Sequence, residues 1–174
     1  FASQISKKII KKRNDKKNLS GKDLSNIISS IKFKKNRTNP ATKSFQAIRM
    51  IVNQELSEIF HALKYIINNC KQGAVVMVVT FHSLEDILVK RIFNFYGKKK
   101  SISRYTPKKN DKDNISINLL TNKAVKPSQN EIKQNPNSRS AKLRVIKKIK
   151  NPNIIINRKD LNMEKYFLLE EMYV

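Results

Sequence analysis

Residues 73–97 read GAVVMVVTFHSLEDILVKRIFNFYG. The run Ala74–Phe81 is apolar and β-branched without a polar break. A continuous run, unlike an alternating one, predicts a strand covered on both faces, the mark of a central parallel strand. It passes directly into His82-Ser83-Leu84-Glu85-Asp86. Ser83 and Asp86 have the S-x-x-D spacing of a capping box. The two acids fall in a first helical turn, where the helix dipole favours negative charge. Ile87, Leu88, Ile92 and Phe95 carry the helix on, and Gly97 stops it. In open α/β sheets ligands bind just beyond the carboxyl ends of the strands. Phe81, His82 and Ser83 are therefore the residues expected at the rim of a site.

Upstream, Asn39 offers an N-cap and Pro40 a first helical position that needs no N–H. Phe45, Ile48, Val52, Leu56, Ile59, Leu63, Ile66 and Ile67 then recur at three- or four-residue steps. This predicts one long amphipathic helix ending near Asn68–Asn69, ahead of Gly73. Before it, residues 1–38 are basic and helical in period. Ile5, Ile9 and Ile10 mark a first helix; Leu24, Ile27, Ile28 and Ile31 mark a second, with Ser20 or Asp23 as its cap. Downstream, residues 98–137 are polar, basic and Asn-rich, a long loop with a helix start at Ser128 and Glu131. Residues 141–146 (AKLRVI) alternate as a strand does. The tail holds an apolar run, Ile154–Ile156, and a helix from Leu161 to Glu171. The order of helix, strand, helix, loop and strand is that of the back half of a doubly wound α/β domain.

The 174 residues include 37 Lys and Arg against 13 Asp and Glu, a net charge of +24. Such a field selects a polyanion, and nucleic acid is the first candidate. Only eight of the basic residues are Arg, and Lys, Asn and Ile abound, so a bias of the coding sequence accounts for part of the charge. The three glycines, Gly21, Gly73 and Gly97, stand alone, which excludes a Gly-rich phosphate loop within this chain. A single cysteine, Cys70, excludes an intrachain disulfide and a Cys-based zinc site, and two histidines leave little for a His-built metal centre. Cys70 reads as a small apolar filler and His61 as a helix-surface residue. No apolar run approaches the roughly 18 residues of a membrane span. The basic residues do not line one face opposite a broad apolar one, which argues against a membrane-surface role. The opening FASQISKKII lacks an initiator Met and starts in mid-helix, which suggests a chain truncated at its front.

Three blocks carry a specific resemblance: NPATKSFQAIRMIVNQEL (39–56), VVTFHSLEDILVKRIF (78–93) and KPSQNEIKQNPNSRSAKLRV (126–145). Together with FASQISKKI ahead of them, they resemble the ribosomal RNA small subunit methyltransferase H (MraW) family over residues 1–149. The resemblance implies an α/β fold: the C-terminal part of a class I (Rossmann-like) methyltransferase sheet preceded by part of an inserted helical subdomain. It divides the chain into residues 1–38, the end of that subdomain; 39–149, the last part of the methyltransferase domain; and 150–174, an extension on which it is silent. The implied reaction is methyl transfer from S-adenosyl-L-methionine to N4 of a cytidine in 16S ribosomal RNA, by a cytoplasmic enzyme whose partner is the small ribosomal subunit. The family's Gly-rich cofactor loop has no counterpart in this sequence, so the expectation is an incomplete enzyme, inactive alone, with no cofactor-binding residue.

Within that frame Phe81, His82 and Ser83 are the catalytic candidates: Phe81 to stack on the base, His82 or Ser83 to accept from its amine. Capping explains Ser83 and Asp86 without catalysis, and a first-turn position explains Glu85. The candidates for RNA phosphates are Arg37, Lys43, Arg49, Lys90, Arg91, Arg139, Lys142 and Arg144. Arg139 and Arg144 lead, because a guanidinium forks onto phosphate. Lysines in 98–112 with Tyr96 and Tyr105 could follow an RNA backbone. The competing reading is a basic RNA- or ribosome-binding module without catalysis.

Overall fold

A computed structural model describes residues 1–15, 18–31, 40–97 and 115–172. The chain forms two units, Phe1–Asn53 and Gln54–Val174. The first holds α1 (Ala2–Asp15), α2 (Gly21–Ser29) and α3 (Thr42–Val52). Ser20 caps α2 as its sequence suggested: its Oγ accepts from the Asp23 amide at 3.1 Å, and the Asp23 carboxylate accepts from the Ser20 amide at 2.9 Å. Ile28 and Ile31 are buried, and α1 buries no residue at all.

The helix expected as one piece from Pro40 is two. Asn53 closes α3, Gln54 takes a left-handed backbone at φ 49°, and α4 (Glu55–Asn69) begins afresh. A left-handed residue costs about 1–2 kcal/mol. The offset comes from a distant partner: the Glu170 carboxylate accepts from the amides of Leu56 and Ser57, at 3.0 and 2.9 Å, which only a helix start leaves free. Asn39, the expected cap, lies outside the described residues.

The second unit places α4 and α5 (Ser83–Gly97) with a three-stranded sheet: β1 (Val75–Thr80), β2 (Ile117–Leu119) and β3 (Lys142–Lys148). The order is β1-β3-β2, with both pairings antiparallel; Val75 faces Lys147 and Ile117 faces Lys148. Among the described residues β1 is therefore an outer strand with an antiparallel neighbour, which corrects the expectation of a central parallel strand covered on both faces. Val75, Met77 and Val79 are 49%, 67% and 53% exposed, and Thr80 is buried. One face of β1 meets the helical side and the other is bare, although its residues are as apolar as the covered ones.

The core draws on Leu56, Phe60, Leu63 and Ile67 of α4, and on Leu88, Val89, Ile92, Phe93 and Tyr96 of α5. Ile117 and Ile146 join from the sheet. The C-terminal segment adds Ile156, Leu161, Met163 and Phe167. Between β2 and β3, Ser128 caps the short α6 (Gln129–Gln134) by accepting from the Glu131 amide. Beyond β3, a 3₁₀ turn (Arg158–Leu161) and α7 (Glu164–Glu171) form the C-terminal segment, which is thus part of the unit. Phe167 meets Phe60 edge to face at 5.7 Å, and the Tyr96 hydroxyl accepts from the Ile156 amide at 3.1 Å.

Candidate functional site

Strand β1 delivers the chain to the turn Phe81-His82, and α5 starts there. Its cap differs from the expected Ser83–Asp86 box by one residue. His82 is the capping residue: its Nδ1 accepts from the Glu85 amide at 3.3 Å, while one Glu85 carboxylate oxygen accepts from the amides of Phe81 and His82 at 2.8 and 3.2 Å. A helix N-terminus needs an acceptor at the cap and an acid three residues on, and His82 with Glu85 supplies both.

Asp86, released from capping, turns inward. Its Oδ1 accepts from Arg144 Nε at 2.7 Å and its Oδ2 from Lys142 Nζ at 3.1 Å. Burial by itself would raise the Asp86 carboxyl. The hydrogen bonds and charges of Arg144 and Lys142 outweigh that and hold it below the usual carboxylate range. Arg144 is 8% exposed, with its Nε held on Asp86. This corrects the expectation of a phosphate-contacting Arg144: the alternation of β3 sends residue 144 to the covered face.

The His82 ring lies between two carboxylates. Its Nε2 is 3.1 Å from a Glu85 oxygen and 3.7 Å from a Glu55 oxygen on the first turn of α4. Its side chain is 10% exposed, yet Nε2 makes no hydrogen bond, the Glu85 approach being close in distance but off in angle. Among the described residues, Glu55, His82 and Glu85 are also the one trio with the spacing of a metal-ligand set. The cap bond decides against coordination: Nδ1 spends its lone pair on the Glu85 amide, which assigns the ring hydrogen to Nε2, the atom a metal would need bare. Glu55 was not legible as a site residue, since nothing in the period of a helix marks a first-turn acid as facing another helix.

The other candidates divide. Phe81 is 56% exposed, and Ser83 is exposed beside it. Lys43 and Arg49 are exposed on α3, Lys90 on α5, and Arg139 on the 3₁₀ turn Pro136–Ser140. Arg91 donates to the carbonyls of Leu161 and Asn162, tying the C-terminal segment to α5. Lys142 is half-buried on Asp86. His61 is exposed on α4, and Cys70 is half-buried at its end. Arg37, Tyr105 and the lysines of 98–112 lie outside the described residues.

Residues 1–149 match the family model described as the MraW methylase family. The chain belongs to this family. Among curated MraW relatives, the ribosomal RNA small subunit methyltransferase H of Caldicellulosiruptor saccharolyticus is 39% identical over 150 residues, which are 86% of this chain and 49% of the relative. The enzyme of the same name from Rickettsia akari is 40% identical over 153 residues, 86% of this chain and 50% of the relative. The chain thus spans about half the length of the curated relatives it matches. The MraW match ends at Ile149, the residue after β3, so the packed segment 150–172 lies beyond it.

Proposed function

We propose that this MraW chain is the C-terminal part of an S-adenosylmethionine-dependent enzyme that methylates the N4 amine of a cytidine in 16S ribosomal RNA on the small subunit, in the cytoplasm. The observation that carries the reading is the bare apolar face of β1, Val75, Met77 and Val79, running into the exposed Phe81. An apolar strand with a free edge is a surface made to be covered. Further strands of a class I sheet, supplied by a preceding part of the protein, would pair with the free edge of β1, and a helix packed on that sheet would cover the bare face, placing the turn after β1 at the mouth of the pocket. Residues 1–38 then belong to an inserted helical subdomain and 39–149 to the methyltransferase domain.

S-adenosylmethionine would supply a methyl group on a sulfonium, and the Gly-rich loop that would hold it is not among the residues of this chain. What the chain contributes is the rim. Phe81 offers a ring for a base drawn out of its stack, and the Ser83 hydroxyl stands exposed beside it to accept from an exocyclic amine. His82, the cap of α5 and flanked by two carboxylates, fixes the turn that carries both. Lys43, Arg49, Lys90 and Arg139, all exposed, remain with Arg37 the proposed phosphate contacts.

The test is methylation of small subunits by a protein that joins this chain to the preceding half of a relative, with the product nucleoside identified by mass spectrometry. N4-methylcytidine is the expected product, and methylation of any other atom overturns the assignment. The chain alone is expected to show no cofactor binding by calorimetry; micromolar affinity would show that the cofactor site lies within it. The alternative, a non-catalytic RNA-binding module, draws on the net charge of +24 and the exposed basic α1. It would be favoured if the joined protein bound small subunits and the cofactor but transferred no methyl group.

A further inference from the structure

We propose that Glu170, in the segment beyond the MraW match, is a positioning residue for the site: it holds the first turn of α4 so that the Glu55 carboxylate stays beside His82. The inference rests on the Glu55–His82 geometry and does not require the methyl-transfer reading.

Glu170 is 2% exposed, a carboxylate taken out of water. Its donors converge from one helix end. One oxygen accepts from the Leu56 amide at 3.0 Å, and the other from the Ser57 amide at 2.9 Å and the Ser57 hydroxyl at 2.7 Å. A buried carboxylate is tolerated where several donors meet it and the positive end of a helix dipole faces it, and the start of α4 offers both. Gln54, the residue that caps α4, makes no side-chain cap bond, so Glu170 takes the part of a local cap from 113 residues away. Glu55 immediately precedes Leu56, and fixing the Leu56 amide fixes the backbone from which Glu55 reaches His82.

The segment is anchored so that this grip is transmitted. Phe167, one turn before Glu170 on α7, is buried against Phe60 of α4. At its other end, Arg91 of α5 donates to the carbonyls of Leu161 and Asn162. The segment therefore spans the two helices whose first turns supply the carboxylates around His82, Glu55 from α4 and Glu85 from α5. A purely stabilising tail would be served by Phe167 and Leu161 alone. The buried carboxylate adds a directional constraint on one turn.

The experiment uses the whole chain and reads the His82 ring by ¹H–¹⁵N correlation of its side-chain nitrogens. Glu55→Gln is expected to move the Nε2 resonance. Glu170→Gln is expected to move it in the same direction, and to speed amide exchange at Leu56 and Ser57 by about tenfold, the size of one lost charge-assisted hydrogen bond. Ile117→Val in β2, a loss of stability remote from the segment, is expected to leave the resonance in place. If Glu170→Gln prevents folding, Ser57→Ala, which removes one of the three bonds, is expected to give a smaller shift of the same sign. The proposal is overturned if Glu170→Gln or Ser57→Ala lowers stability while the His82 resonance stays put. It is overturned at its premise if Glu55→Gln itself leaves the ring unmoved. Loss of methylation in a joined protein would leave these readouts untouched, so the two proposals fail separately.

Discussion

At the residue scale the decisive pairing is Asp86 with Arg144. Both are 8% exposed and joined at 2.7 Å, so removing one partner strands the other in a low-dielectric setting. Arg144→Ala is expected to cost about 3 kcal/mol in urea unfolding, far more than a surface charge would. Its effect on RNA affinity, measured on folded protein, is expected to be small. The pH dependence follows from the same pair. The folded Asp86 carboxyl lies below its unfolded value, so the stability it contributes is complete above about pH 4. It is lost as pH falls through the folded value. Asp86→Asn should flatten the acid limb of a stability–pH curve, and an unchanged limb would show that other carboxylates control it. Phe81 behaves oppositely. Exposed over more than half its surface, it can be cut to Ala at a cost within about 0.5 kcal/mol, while methylation by a joined protein is expected to fall at least tenfold if the ring stacks on the base. A change in stability without a change in rate would make it a packing residue.

At the scale of elements, α4 shows how far a sequence can be read. Its apolar period is plain, and so is its end near Asn69. Its start is not, because the period runs on through Val52 and Leu56 without a glycine or proline to interrupt it. At the break the Leu56 and Ser57 amides meet Glu170, a partner that local reading cannot supply. The far end of α4 is secured in the complementary way: Lys148, 2% exposed, donates to the carbonyls of Asn68 and Cys70 at 3.0 and 2.6 Å. An acid at the amino end and an ammonium at the carboxyl end both oppose the helix dipole. Lys148→Met keeps the aliphatic stem and removes the donor, leaving two carbonyls short of a partner. It is expected to cost about 2 kcal/mol and to raise exchange in the last turn of α4 ahead of global unfolding. Uniform exchange across the unit would show that the ammonium supports the fold as a whole. The α5 cap carries the same lesson at closer range: S-x-x-D was visible, but the cap is His82 with Glu85, one residue earlier, and Asp86 was thereby left for Arg144.

At the scale of the molecule, the apolar run before Phe81 located the strand-to-helix turn, while among the described residues the strand is an outer one with an antiparallel neighbour. Composition cannot tell a strand covered on both faces within one chain from a strand whose second face is covered by residues elsewhere, and β1 is bare here on the side that Val75, Met77 and Val79 occupy. Net charge is read directly from the sequence, and the prediction it makes can be tested on this chain alone. With +24 charges on 174 residues, binding of the chain to structured RNA is expected to release counterions, so log K falls linearly with log salt, by about 0.7–0.9 per phosphate neutralised. Arg139, exposed on its 3₁₀ turn, is placed to make one such contact. Arg139→Ala is expected to lower the magnitude of that slope by about one contact and to weaken binding evenly across RNA sequences. Arg144→Ala is expected to leave the slope unchanged, since its guanidinium is buried beside Asp86. Filter binding or fluorescence anisotropy from about 50 to about 200 mM salt measures both variants side by side. A slope that moves with Arg144 and not with Arg139 would mean that the buried ion pair opens to meet RNA, and the division between the binding surface and the structural pair would have to be redrawn.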